Sequence, residues 1–175
     1  MKKVGYWSCA IVASGLLGVA NAFAGPEAID KWLSEFSPST LSKEEQKKEL
    51  AWFAKAAEPF KGKTIRVASE QLTTHNYERD KLAKAFEEIT GIHVIHATIP
   101  EGKLVDNVMS DLAGNKPAFD GYVNDSDLIG THMRYGKTVV LSDFMEGDGK
   151  DVTSPTLDLK DFIGLSFTSG PDGKL

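Results

Sequence analysis

The chain has 175 residues, 41% of them hydrophobic, and a formal net charge of −5 at pH 7. That length suits one domain with a proper core. The acidic balance argues against nucleic acid or an anionic membrane surface as the main partner.

The chain opens with an export signal. Met1, Lys2 and Lys3 give a short positive start, and no further charge occurs before Glu27. An apolar stretch runs from Val4 to about Val19, and Ala20 to Ala22 and Ala22 to Ala24 offer small-x-small cleavage sites. This is the layout of a secretory signal peptide over residues 1–24, and it directs the chain to the periplasm. A permanent membrane anchor is the competing reading, because the uncharged run almost spans a bilayer. Ser8, Ser14, Gly15, Gly18 and Asn21 dilute that run, which favours cleavage after Ala24, with Ala22 second. The only cysteine, Cys9, lies inside the signal. The mature chain then has no disulfide, no thiolate metal site and no cysteine nucleophile.

Residues 25–60 read as a helical extension. Pro26 to Phe36 places Ile29, Trp32, Leu33 and Phe36 on one helical face, and Ser37 to Ser39 breaks it. Ser42 begins a capping box with Glu45, three residues on. Leu50, Phe53, Ala54 and Ala57 keep helical spacing up to Glu58. Glu44, Glu45, Lys47, Lys48 and Glu49 make a solvated face.

Residues 61–175 read as an α/β unit. Ile65 and Val67 alternate with polar residues, so Thr64 to Ala68 is a strand. Thr73 or Thr74 can cap the next helix, whose buried stripe is Leu82, Ala85, Phe86 and Ile89. Gly91 is the left-handed stop. Ile92 to Ile99 is apolar enough for a parallel strand covered on both faces. A second helix buries Leu104, Val105, Val108, Met109 and Leu112 before Asn115 to Pro117 breaks it. Phe119 to Val123 is a third strand, Asp127 to Arg134 a short helix, and Thr138 to Leu141 a fourth apolar segment. The alternation implies a mainly parallel sheet with right-handed crossovers and helices on both faces.

In such sheets ligands bind beyond the carboxyl ends of the strands. That rule selects Ser69, Glu70, Gln71, Thr73 and Thr74 after the first strand, Pro100 and Glu101 after the second, and Asn124, Asp125 and Ser126 after the third. Hydroxyl, amide and carboxylate groups together can hydrogen-bond a polyol from several directions. Ser69, Glu70 and Gln71 are the first choice for ligand contact, Asn124 and Asp125 the second. A structural role competes at each position, since Thr74, Asp125 and Ser126 are ordinary helix caps and Ser69 or Asn124 can complete a turn. Tyr77, Tyr122 and Tyr135 could stack on a sugar ring or simply pack.

Catalytic motifs are not apparent. Gly136 to Thr138 has the wrong glycine spacing and order for a phosphate loop. His93 and His96 sit at i and i+3 on a strand, so they point to opposite faces and cannot share a metal. His75 and His132 have no acidic partner at helical spacing of the HExxH kind. Glu146 to Asp151 lacks the closing glutamate of a calcium loop. No Gly-x-Ser-x-Gly elbow is present. No cofactor and no catalytic set are implied.

Lys63 to Met145 resembles the amino-terminal lobe of the family 1 extracellular solute-binding proteins, the binding components of bacterial ABC importers for sugars and related solutes. The likeness rests on the strand Thr64 to Ala68, the Phe-Glu-x-x-Thr-Gly run from Phe86 to Gly91, and the strand Ile92 to Val94. Lys116 to Val123 supplies a proline and an aspartate leading into the third strand, and Tyr135-Gly136 with Val140-Leu141 supplies a supporting turn. Gly170 to Leu175 resembles the start of a further family segment. The extension at 27–60 is unusual for the family and suggests a subgroup.

The resemblance implies a monomeric, non-enzymatic protein that captures a sugar-like small-molecule solute in a cleft, closes on a hinge and delivers it to the membrane permease of an ABC importer. Family members close two lobes of about 100–150 residues each. Residues after 60 suffice for one, so a partial chain with its second lobe missing is expected, binding weakly or not at all alone. A fragment of a secreted α/β hydrolase and a small secreted interaction module docking through helix 42–58 are the alternatives.

Overall fold

The computed structural model describes residues 26–114, 116–123 and 128–175, so the expected export signal over residues 1–24 lies outside the described residues. Three strands, β1 (Thr64–Glu70), β2 (His93–Ile99) and β3 (Gly121–Tyr122), form an open parallel sheet in the order β2-β1-β3. β1 and β2 pair along their full length, from Thr64 opposite His93 to Glu70 opposite Ile99. β3 joins at Val67 and Ala68. It is shorter than the expected Phe119 to Val123, but backbone bonds from Asp120 N–H to the Arg66 carbonyl and from Val123 N–H to the Ala68 carbonyl flank it.

The first crossover is one unbroken helical run made of α3 (Thr73–Tyr77), a π-helical turn (Glu78–Leu82) and α4 (Ala83–Thr90). Leu72 occupies its N-cap position without a side-chain cap bond, so neither Thr73 nor Thr74 caps it. Gly91 ends it at φ +75°, the left-handed conformation that glycine adopts without a Cβ penalty. Of the expected stripe, Ala85 and Ile89 are buried, whereas Leu82 and Phe86 are partly exposed. The π turn accounts for Leu82, because its i→i+5 bonding changes the angular step relative to Ala85.

The second crossover is α5 (Glu101–Ala113), which buries Leu104, Val108 and Leu112 against Ala68 of the central strand, with Ile99, Met109, Phe119 and Tyr122 around them. The two crossovers lie on opposite faces. Ala68 packs on α5, while the adjacent register row, Ser69 with Thr98, meets the first helix, where Arg79 donates to Thr98 Oγ1 at 2.7 Å.

The extension folds back onto this unit. It comprises α1 (Pro26–Leu33) and α2 (Lys43–Ala56). α1 stops at Leu33, short of the expected Phe36, and Glu35 and Phe36 turn back to the Trp32 carbonyl. Both halves of the capping box form, with Ser42 Oγ accepting from the Glu45 N–H and Glu45 Oε2 accepting from the Ser42 N–H. Trp32, Ala85 and Ile89 make a second core with Ile29, Phe36, Leu50 and Ala54, so the outer face of α4 is covered by α1 and α2.

After β3 come α6 (Ile129–Tyr135) and α7 (Leu141–Glu146), followed by short 3-10 turns. The fourth apolar segment does not extend the sheet. Thr138 to Val140 has no ladder partner and Leu141 opens α7. Val139 instead lines a cavity together with Gly121 and Tyr122 of β3, and a strand forms only where its backbone finds a partner. None of the described helices is long and apolar enough to cross a membrane.

Candidate functional site

Strand order fixes where a cleft can form. From β1 the chain moves to β2 on one side and then to β3 on the other, so β1 is the switch point of the sheet. The crevice outside its carboxyl end is where open α/β sheets place ligands. Ser69 and Glu70 end β1, and Gln71 follows at once.

These three residues are not equivalent. Gln71 is exposed and Glu70 is half-buried, so both can present polar atoms to solvent. Ser69 is fully buried, at 0% exposure. Its hydroxyl lies 2.7 Å from Nε2 of His96 and 3.4 Å from the Glu70 carbonyl. The backbone turns sharply after it, with the Leu72 N–H donating to that same Glu70 carbonyl at 3.1 Å. Pro100 and Glu101, at the end of β2, are exposed. Asn124, Asp125 and Ser126 lie outside the described residues.

His96 is the residue that sequence reasoning missed. The sequence places it on the opposite strand face from His93, and the two side chains do have separate partners, Ser69 for His96 and Glu87 for His93. What reveals the Ser69 pairing is the β1–β2 register, which sets Val67 opposite His96 and so puts His96 one step along the same face from Ser69. Alternation alone carries no register.

A seam of polar groups surrounds this pair. His75 and Glu78 bond each other at 2.9 Å, Arg79 chelates Asp80 through Nε and Nη2, and its Nη1 holds Thr98. Burial pushes His96 below its ordinary value, opposed by the Glu78 carboxylate and reinforced by His75 and Arg79. It is therefore a neutral imidazole at pH 7. A serine hydroxyl this close to an imidazole has nucleophile-and-base geometry. Yet Ser69 has no exposed surface, so no carbonyl substrate reaches its Oγ in this conformation.

The aspartate ahead of β3 has a structural task. Asp120 Oδ2 accepts the Arg66 N–H at 2.8 Å, and its two oxygens lie 3.3 and 3.4 Å from the Arg66 guanidinium. That fastens β3 to β1 near its start. Of the aromatic residues, Tyr77 and Tyr135 are partly exposed, whereas Tyr122 packs on the α5 core and edge-on to His132 at 5.6 Å.

A cavity of about 940 Å³ opens elsewhere, at the free edge of β3. Leu112, Phe119, Tyr122, Val139 and Phe167 line it, and none of Ser69, Glu70 or Gln71 does. Tyr122 Oη and His132 Nε2 are buried beside it without a hydrogen-bond partner among the described residues. No cluster of histidine, cysteine or carboxylate suited to a metal occurs among the described residues.

No family model matches the chain, and no curated protein and no solved structure matches it either.

Proposed function

We propose that the chain is the amino-terminal lobe of an extracellular solute-binding protein, exported to the periplasm, that captures a sugar-like solute for the permease of an ABC importer. The observation that carries the reading is the position of Glu70 and Gln71. They stand at the carboxyl end of the central strand of a parallel sheet, at its switch point, with polar atoms open to solvent. Carboxylate and amide groups side by side accept and donate to vicinal hydroxyls, which is the chemistry a polyol requires. The periplasmic-binding-protein-like form of the lobe, the second lobe that closes over it and the signal peptide belong to the same proposal.

The test is titration calorimetry of the native gene product against a panel of mono- and disaccharides. Glu70→Ala should weaken binding about tenfold or more while leaving thermal stability in place, as expected for losing a hydrogen bond to a charged group. Unchanged affinity removes Glu70 from the site. Intact mass of the periplasmic product decides whether a second lobe accompanies this one.

A further inference from the structure

We infer that Ser69 and His96 form a proton-sensitive relay that ends on the turn carrying Glu70 and Gln71. The buried Ser69 hydroxyl has two acceptors within reach, His96 Nε2 at 2.7 Å and the Glu70 carbonyl at 3.4 Å. The shorter contact is a formed hydrogen bond and the longer one is not. While His96 is neutral with Nε2 unprotonated, it accepts a hydrogen bond from Ser69 Oγ, and the Glu70 carbonyl accepts the Leu72 N–H.

Protonation of His96 makes Nε2 a donor. Ser69 Oγ must then accept from it, and the hydroxyl proton turns to its other acceptor among the described residues, the Glu70 carbonyl. Two donors now share that oxygen, and the Leu72 N–H, which closes the turn at 3.1 Å, is weakened. No bond is made or broken in this exchange beyond the uptake of one proton from solvent and the rotation of one hydroxyl.

Burial lowers His96 below its ordinary value, and its charged neighbours pull it both ways. From the helical side His96 faces Glu78, which favours its cation, and His75 and Arg79, which oppose it. From the sheet side it meets the uncharged Ser69. The relay itself stands on this geometry. Its meaning, that acidification loosens the ligand turn and so favours solute release, rests on the function proposed above.

Amide hydrogen exchange of the full chain, without ligand, between about pH 7 and pH 5 tests it, alongside an NMR titration of the histidines. The protection factor of the Leu72 N–H should fall by about threefold or more with the midpoint of His96 itself. His96→Asn, neutral throughout, and Ser69→Ala should each abolish the step, while Thr98→Val, which removes the Arg79 contact only, should keep it. A flat Leu72 profile in the wild type, or a step that survives in Ser69→Ala, overturns the relay. If Ser69→Ala does not fold, His96→Asn decides by the same reading. Because the exchange is read without ligand, a step at Leu72 upholds the relay whatever the sugar titrations of the native gene product show, and the two readings fail separately.

Discussion

Trp32 donates its indole N–H to Glu88 Oε2 at 2.8 Å, across 56 positions of sequence. Lys31 grips the same carboxylate, with Nζ 2.6 and 2.8 Å from its two oxygens. One acidic residue on α4 therefore fastens α1 by a neutral and a charged donor together. Trp32→Ala removes a buried indole that also fills the second core, and should cost about 3–5 kcal/mol. Trp32→Phe keeps most of the packing and loses the N–H, so about 1–2 kcal/mol is expected. Denaturant melts of both variants measure the difference.

Gly91 sits at φ +75°, and an added Cβ would lie 3.2 Å from Lys61 Cγ. Its carbonyl also accepts the Gly62 N–H at 2.8 Å, so the backbone cannot turn freely to relieve a side chain. Gly91→Ala should destabilise by about 1–2 kcal/mol from left-handed strain. Gly102, with nothing within 4 Å of an added Cβ and an ordinary helical position in the first turn of α5, should accept alanine without loss. Paired thermal melts separate the two.

Val108 and Leu104 are fully buried against Ala68. Leu104→Ala should cost about 2–5 kcal/mol. The loss should appear as a lower denaturant midpoint with an unchanged slope, since the unfolded surface is nearly the same.

Acid should weaken the protein in part through two of its carboxylates that join distant segments, Glu88 and Asp120. Glu88 lies below its ordinary value of 4.5 because of the Lys31 hydrogen bond, opposed by burial and aided by Trp32. Asp120 lies below 3.8 because of the Arg66 side chain and N–H. A carboxylate with a depressed folded value adds stability that is present above its unfolded value and lost as pH falls through the folded one. Stability should therefore drop steeply below about pH 4, and Glu88→Gln should flatten that drop while lowering stability at pH 7. Urea titrations at stepped pH provide the check.

The parallel α/β alternation, the capping box at Ser42 and the stop at Gly91 were legible because each rests on neighbours within four or five residues. Leu104, Val108 and Leu112 were legible for the same reason, as helical period marks one face whatever lies opposite. Three things were hidden. Thr138 to Val140 has the β-branched composition of a strand, but a strand forms only against a partner, and composition does not supply one. Ser69 reads as a surface hydroxyl after a strand, and only the register with β2 turns it inward to His96. For the same reason Trp32 reads as one apolar position on a short separate helix, and nothing local to it points to Glu88 as its partner.

The grip of Lys31 and Trp32 on Glu88 has a consequence for the order in which the protein takes shape. A chain emerging from its amino end presents α1 and α2 first, with Trp32, Leu50 and Ala54 bare of the partners they pack on. Their landing surface, Ala85 and Ile89, arrives only after β1 and the turn following it have been delivered. These two helices are thus held in waiting, an apolar face open to any holding chaperone until α4 emerges.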